Sequence, residues 1–421
     1  MIPANQATTS GVRAGGTSDA ILGVVPSSVV EPATLDEATE VVTACARDRR
    51  HLAFAGGGTE LGLGAPPERL DLLLRTTALN RIVEHAPLDQ IVTAECGARI
   101  ADLQRALAAH GQRLSIDPPW ADRATVGGVV ASNAFGALRT RYGSIRDLII
   151  GISFVRADGV RARGGGKVVK NVAGFDLPKL LTGSLGTLGL IATATFRLHP
   201  LPETATTIVF PRVALADVQR LLRAAREAHL EPEAVAALSD APGGAHWCLG
   251  VRFAGFARGV NDQAARLRDV VGKLDGGLAI EADDDARFWD ACERARAGDA
   301  AVRLKVAMLP AEPKAADLFA RLAGPLRDAR AIVYPTLGLG FVSGGAGEAR
   351  AIAAATESAR RSLAGSGGSV VVHDAPPPVR AELDVWGVGD GPRWAVPLLR
   401  NLKQRLDPER RLAPGRFVAG I

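Results

Sequence analysis

Cysteine is scarce in this sequence. The four present in 421 residues (Cys45, Cys96, Cys248 and Cys292) stand at least 44 positions apart, which excludes zinc or iron-sulfur ligation by CxxC spacing and fits a reducing compartment. Long apolar runs are missing too. None approaches the roughly 18 to 20 residues of a spanning helix, and the N-terminus has no basic segment followed by a long apolar stretch. A cytoplasmic protein is expected, with peripheral association left open. Basic runs are also absent: 43 of the 50 basic residues are Arg, they are scattered, and the net charge is only +5, so no nucleic-acid partner is expected. GxSxG, HExxH and EF-hand patterns do not occur, which removes the usual hydrolase and simple metalloenzyme readings, and no metal site is expected. Two nucleotide motifs fail by register. A Rossmann fingerprint counted from Gly56 needs a small residue where Leu61 stands, and a P-loop ending at Gly166-Lys167 needs Gly in place of Arg161.

Glycine, by contrast, is abundant. The 47 glycines are about 11% of the chain against an average near 7%, so backbone shape must matter somewhere. The length predicts two or three domains, and 47% hydrophobic with 23% charged residues describes a globular chain able to bury a full core.

Residues 1–25 are rich in small residues without periodicity and read as a mobile tail. Thr34 and Glu37 form a capping-box pattern ahead of a helix running to about Arg49. Leu52–Ala55 reads as a short buried strand, Ile91–Glu95 as another, and Ile100–His110 as a helix stopped by Gly111. A hairpin is expected from Leu148 to Arg163 across Ala157-Asp158-Gly159, and a half-buried strand at 190–198 ended by Pro200 and Pro202. A domain boundary falls there. The second half has the order strand (206–211), helix (214–229), strand (233–238), strand (247–253), helix (260–274), strand (277–281), which is βαββαβ, and a similar order recurs from 302 to 373. The organisation is therefore 26–203, then a domain over 204–396, then a segment over 397–421 beginning in a helix.

The most informative stretch is Gly56-Gly57-Gly58-Thr59-Glu60, directly after a strand. Three consecutive glycines allow positive-φ backbone whose successive N–H groups converge on an anion such as a pyrophosphate. A turn without a ligand is the alternative. Small-residue clusters recur at Thr125-Val126-Gly127-Gly128, at Ser132-Asn133-Ala134 with Gly136, and at Gly183-Ser184-Leu185-Gly186-Thr187-Leu188-Gly189, as if a long ligand were approached by backbone in several places.

These segments, with Tyr142-Gly143-Ser144-Ile145-Arg146-Asp147 and Lys170-Asn171-Val172-Ala173-Gly174-Phe175-Asp176-Leu177, resemble in order the flavin-binding domain of the vanillyl-alcohol oxidase (PCMH) type. The resemblance covers about 26–203. Within that superfamily the chain looks most like the E-type flavin subunit of bacterial glycolate oxidase, a narrower match resting on Lys167 through Leu177, on Asp384-Val385-Trp386-Gly387, and on Leu412-Ala413-Pro414-Gly415-Arg416. It implies an α+β fold: a PCMH-type FAD-binding domain of two α+β subdomains, then a ferredoxin-like α/β cap. It further implies that Gly56, Gly57, Gly58, Thr59 and Glu60 wrap the FAD pyrophosphate, and that Pro118, Thr125, Gly127, Gly128 and Asn133 line the flavin and its ribityl chain. Gly183, Gly186, Thr187 and Ile191 would reach or support the adenine end. Relatives often attach FAD through a His in the pyrophosphate loop. Here that loop has none, so FAD is expected to be non-covalent.

One departure matters more. Catalytic D-type subunits and D-lactate dehydrogenases carry a C-terminal histidine-rich clamp for the hydroxy acid, whereas the seven histidines here are all isolated. Arg139 and Arg141 are left as candidates to pair with a carboxylate, with Tyr142 near the flavin, and His373 with Asp374 is the best remaining acid/base pair. Trp386 either covers the flavin or fills core. The resemblance thus implies an FAD-dependent oxidoreductase subunit that passes electrons from 2-hydroxy-acid oxidation to an iron-sulfur F-type subunit beside a D-type flavin subunit, peripheral at the inner membrane if the complex is. The alternatives are a self-sufficient 2-hydroxy-acid dehydrogenase and a structural subunit that has lost FAD.

Overall fold

The computed structural model describes residues 11–168, 174–239, 241–244, 246–274, 278–280, 285–310, 312, 314–388 and 395–421. Lys170 to Ala173 of the motif quoted above lie outside them. A small sheet comes first, built from β1 (Arg13–Ala14), β2 (Ser28–Val30), β3 (Leu52–Ala55) and β4 (Leu72–Arg75) in the order β1-β2-β4-β3, with β2, β4 and β3 parallel. Parallel strands covered on both faces read as continuous apolar runs, and Leu72 and Leu74 face one core while Leu73 faces another. Helix α1 (Leu35–Arg47) starts where expected: Thr34 Oγ1 accepts from the Glu37 N–H at 3.2 Å, and Glu37 accepts from the Ala33 N–H at 2.9 Å. The expected tail is, from residue 11 on, part of this sheet. Ile21 is buried, and the Asp19 carboxylate accepts from both Arg13 and Arg75.

A second sheet of β5 (Ile82–Ala86), β6 (Ile91–Glu95), β8 (Ile149–Val155), β9 (Arg161–Gly165) and β10 (Leu190–Arg197) is antiparallel in the order β5-β6-β10-β8-β9. Between its strands come α2 (Ile100–Ala108), β7 (Gln112–Arg113), α3 (Val126–Ser132), α4 (Arg139–Tyr142), α5 (Ile145–Leu148) and α6 (Leu177–Leu181), and β7 pairs with β11 (His199–Pro200) after β10. Val92, Phe196 and Phe154 of this sheet share one core with α1, α2, α3 and the first sheet.

The remaining sheet has seven antiparallel strands. They are β12 (Thr204–Val213), β13 (Ala234–Ser239), β14 (Trp247–Gly255), β15 (Val302–Ala307), β16 (Arg327–Tyr334), β17 (Leu339–Gly345) and β18 (Ser369–Asp374), ordered β12-β14-β13-β16-β17-β15-β18. Helices α7 (Leu215–Glu227), α8 (Ala257–Gly272), α10 (Ala315–Ala323) and α11 (Ala349–Leu363) cover one face. The second βαββαβ round is complete from β15 to β18. The first is not: residues 278–280 carry no strand, 277 and 281 lie outside the described residues, and helix α9 (Asp285–Ala297) follows. Phe288, Cys292 and Ala295 of α9 pack on the sheet face away from the other four helices, with Phe135 and Ala137 of the first domain joining them. That packing clamps the seven-stranded sheet onto the first domain. Helices α12 (Pro377–Ala381) and α13 (Val396–Leu406) complete the chain, and the last segment returns to β3, where Leu52 N–H donates to Arg411 O at 2.9 Å and Ala413 N–H to Leu52 O at 2.8 Å.

Gly250 on β14 sits beneath α9, and a Cβ there would lie 2.2 Å from Phe288 Cε1. Overpacking of this kind costs about 1–3 kcal/mol. Gly250→Ala should lower the urea midpoint accordingly, and an unchanged midpoint would show that α9 is not held closely on the sheet.

Candidate FAD site and inner cavity

The strand β3 delivers the chain at Ala55 directly against the segment that caps α3. A Cβ on Gly56 would stand 2.0 Å from Thr125 Oγ1 and one on Gly57 1.8 Å from Arg123 O, and Gly58 has φ +74°. Only glycine fits. Among the described residues the N–H groups of Gly57, Gly58, Thr59 and Glu60 find no acceptor, so a row of donors faces a cleft of about 780 Å³. Its opposite wall is Leu185, Gly186, Gly189, Leu190 and Ile191, where Leu185 (φ +52°) and Gly186 (φ +73°) both lie in the left-handed region.

Arg416 also lines the cleft. Its Nη2 donates to the carbonyls of Leu61 (3.2 Å) and Leu63 (2.6 Å), its buried Nη1 has no partner among the described residues, and burial together with Arg380 pulls its pKa down to about 10. A long groove with bare N–H donors and one orphaned guanidinium nitrogen fits a dinucleotide phosphate bridge. Gly57 to Glu60 and Arg416 would hold it. No histidine lines the cleft among the described residues, and burial pushes the lining Cys96 thiol up to about 12, which leaves it protonated and unreactive.

Other expected positions take different places. Thr125 caps α3, its hydroxyl accepting from Gly128 N–H at 3.4 Å, and Gly127 N–H is already given to Cys96 O at 2.7 Å. Both glycines shape the wall; Gly127 does not offer a free donor. Gly183 N–H donates to Val130 O, and the Thr187 hydroxyl to Ser184 O at 2.7 Å, so these two brace the wall from behind. Pro118 lines a separate interdomain cleft with Asp117 and Trp120. Arg141 is turned to Glu231 (3.3 Å), and the Tyr142 hydroxyl donates to Glu233 at 3.0 Å and accepts from Arg113 at 2.8 Å. The structure therefore spends Arg141 and Tyr142 on tying the two domains together, away from the cleft. Trp386 donates to Arg416 O at 3.2 Å and meets Phe417 edge to face, ring centres 5.4 Å apart.

A second, smaller cavity of about 300 Å³ adjoins the cleft, and Glu60 and Ser132 line both. Asn133 lines it, in the left-handed region with a buried Oδ1 that has no partner among the described residues. The seven-stranded sheet contributes Arg303 and Lys305 from β15, Phe341 from β17 and His373 from β18. Arg303 Nη2 lies 2.6 Å from Asp374 Oδ2 and 3.3 Å from Glu60 Oε2, and its guanidinium stacks 4.8 Å from the Trp120 ring centre. His373 Nδ1 lies 3.2 Å from the same Glu60 oxygen. Burial pushes the Asp374 carboxyl up, but His373 and Arg303 outweigh it and hold its pKa down to about 2. Arg303 and Lys305 escaped sequence reasoning, although two cations alternating with Val302, Leu304 and Val306 in a buried strand are a visible signal.

Residues 26–164 match the family described as FAD binding domain, and the cofactor is FAD; the loop Gly56–Glu60 falls within the matched stretch. The chain is similar to glycolate oxidase subunit GlcD of Bacillus subtilis strain 168, 35% identical over 185 residues, which are 44% of this chain and 39% of that protein. It is also similar to glycolate oxidase subunit GlcE of Escherichia coli K12, 33% identical over 170 residues, 40% of this chain and 48% of that protein. The matches thus span less than half the length of either relative. In fold it resembles p-cresol methylhydroxylase with substrate bound, at a TM-score of 0.70 and 18% identity, over 93% of this chain and 89% of the other. The architecture is an α+β fold shared with that structure.

Gly57→Ala would drive a Cβ into the Arg123 carbonyl, which cannot rotate away. The purified variant should carry at least about tenfold less FAD, a loss corresponding to about 1.4 kcal/mol or more, judged from flavin absorbance per protein. Wild-type flavin content would refute the role of the loop.

Proposed function

We propose that this chain is an FAD-dependent oxidoreductase acting on a small 2-hydroxy acid, working with a D-type flavin subunit and an iron-sulfur F-type subunit as in a glycolate oxidase. The observation that supports this most is that the glycine cleft shares Glu60 and Ser132 with a neighbouring cavity lined by Arg303, Lys305 and His373. Bound FAD supplies the hydride or electron acceptor. The chain's residues do the rest. Glu60 Oε2 lies 3.2 Å from Nδ1 of His373, a carboxylate that favours a proton on that nitrogen and so assigns Nε2 the role of taking the hydroxyl proton. Arg303 balances Glu60 and Asp374, and the rings of Phe135 and Phe341, 5.8 Å apart, help keep water from the cavity.

Similarity to glycolate oxidase subunits fits a complex in which this chain relays electrons. The cavity favours the second reading, in which the chain oxidises the acid itself, because it offers cations and an imidazole beside the cofactor cleft without the histidine clamp. A subunit without FAD is disfavoured by the glycine loop. Among the described residues no helix is long and apolar enough to cross a membrane, and the cytoplasm, with any membrane contact made through the complex, is the proposed location.

Anaerobic addition of glycolate or D-lactate to the isolated, FAD-loaded chain tests the choice. Bleaching of the flavin is expected. A flavin that stays oxidised until the D-type and F-type partners are added would support relay instead, and one that never responds would remove the 2-hydroxy-acid reading.

A further inference from the structure

Lys305 stands apart from the ion pairs around it. Arg303 is spent on Glu60 and Asp374, and Arg296 on the carbonyls of Asp117 and Phe135 and on Glu293. Among the described residues, Lys305 Nζ makes no hydrogen bond or ion pair. Its neighbour is the Phe135 ring, 5.0 Å from the ring centre, and Arg139, also without an ion-pair partner among the described residues, stacks on the same ring at 4.8 Å. Two unpaired cations on one buried ring repel each other, and such an arrangement is stabilised by an anion. Lys305 lines the inner cavity, whereas Arg139 does not. Strand β15 pairs with β18, so the ammonium and the His373 imidazole enter the same small space from neighbouring strands.

The geometry points to Lys305 as the docking point for a carboxylate in the inner cavity, with the neighbouring hydroxyl of the same molecule directed to His373. This deepens the proposed function, on which it rests, by separating 2-hydroxy acids from neutral alcohols. Burial, reinforced by Arg139 and opposed by Glu60, pulls the lysine pKa down to about 8. An anion that requires the ammonium therefore binds below that value and is lost as pH rises through it. The other charged or titratable groups lining the cavity are Glu60, His373, Arg296 and Arg303, with Arg139 behind it on the Phe135 ring and Asp374 paired to Arg303, and the arginines stay charged throughout.

Calorimetric titration of the FAD-loaded full chain with oxalate, and with neutral glycolamide, tests this without turnover. Wild type should bind oxalate and not glycolamide, with affinity falling between about pH 7 and pH 9.5, across the range of a depressed lysine. Lys305→Met should bind at least about tenfold more weakly with unchanged FAD content, and Lys305→Arg should bind with a flat pH profile. Oxalate binding unaffected by Lys305→Met, equal binding of glycolamide, or a flat wild-type profile would each overturn the assignment, the last two even if the methionine variant misfolds. If glycolate leaves the flavin oxidised while oxalate still needs Lys305, the oxidation reading fails and the anion site stands. Bleaching by glycolate with no effect of Lys305→Met on oxalate means the reverse.

Discussion

Gly56 and Gly57 run so close to Arg123 and Thr125 that no side chain fits between the two segments. That approach fixes the loop after β3 as bare backbone, and among the described residues the four N–H groups of Gly57 to Glu60, which line the cleft, find no acceptor. Hydrogen bonds from such donors to charged groups are worth about 1.5–3 kcal/mol each, enough to seat a dinucleotide with little help from basic side chains. Everything downstream follows from where this loop ends. Its last residue, Glu60, reaches Arg303 and His373, so one short segment lines both the cleft and the cavity beside it.

The seven-stranded sheet shows how a duplicated topology can be made asymmetric. Its second round closes with β18, which carries His373 and Asp374. In the first round a helix takes the other side of the sheet, and α9 fills the interface that a symmetric pair would leave open. Beside Phe135 and Ala137, α9 brings both apolar packing and polar bonds across the interdomain contact, since Arg296 donates to the carbonyls of Asp117 and Phe135.

What could be read from the sequence depended on the range of the interactions. The cap of α1, strand β3 and the glycine loop rest on neighbouring residues, and the order β15–β18 follows from local periodicity. Arg141 and Tyr142 were misleading because their partners, Glu231 and Glu233, lie about 90 positions away. His373 and Asp374 are visible as neighbours, but their meeting with Glu60 and Arg303 exists only after the sheet has closed on the first domain. The ordering of residues 11–25 likewise depends on Arg75 and on a strand partner beyond the segment itself.

The return of the last segment to β3 carries a consequence for biosynthesis. Leu412 lies alongside Leu52, and Arg416 caps the loop that follows. The glycine-lined cleft begun near the start of the chain thus lacks one wall until residues 411–416 have cleared the ribosome, and its closure has to wait for translation to pass that point.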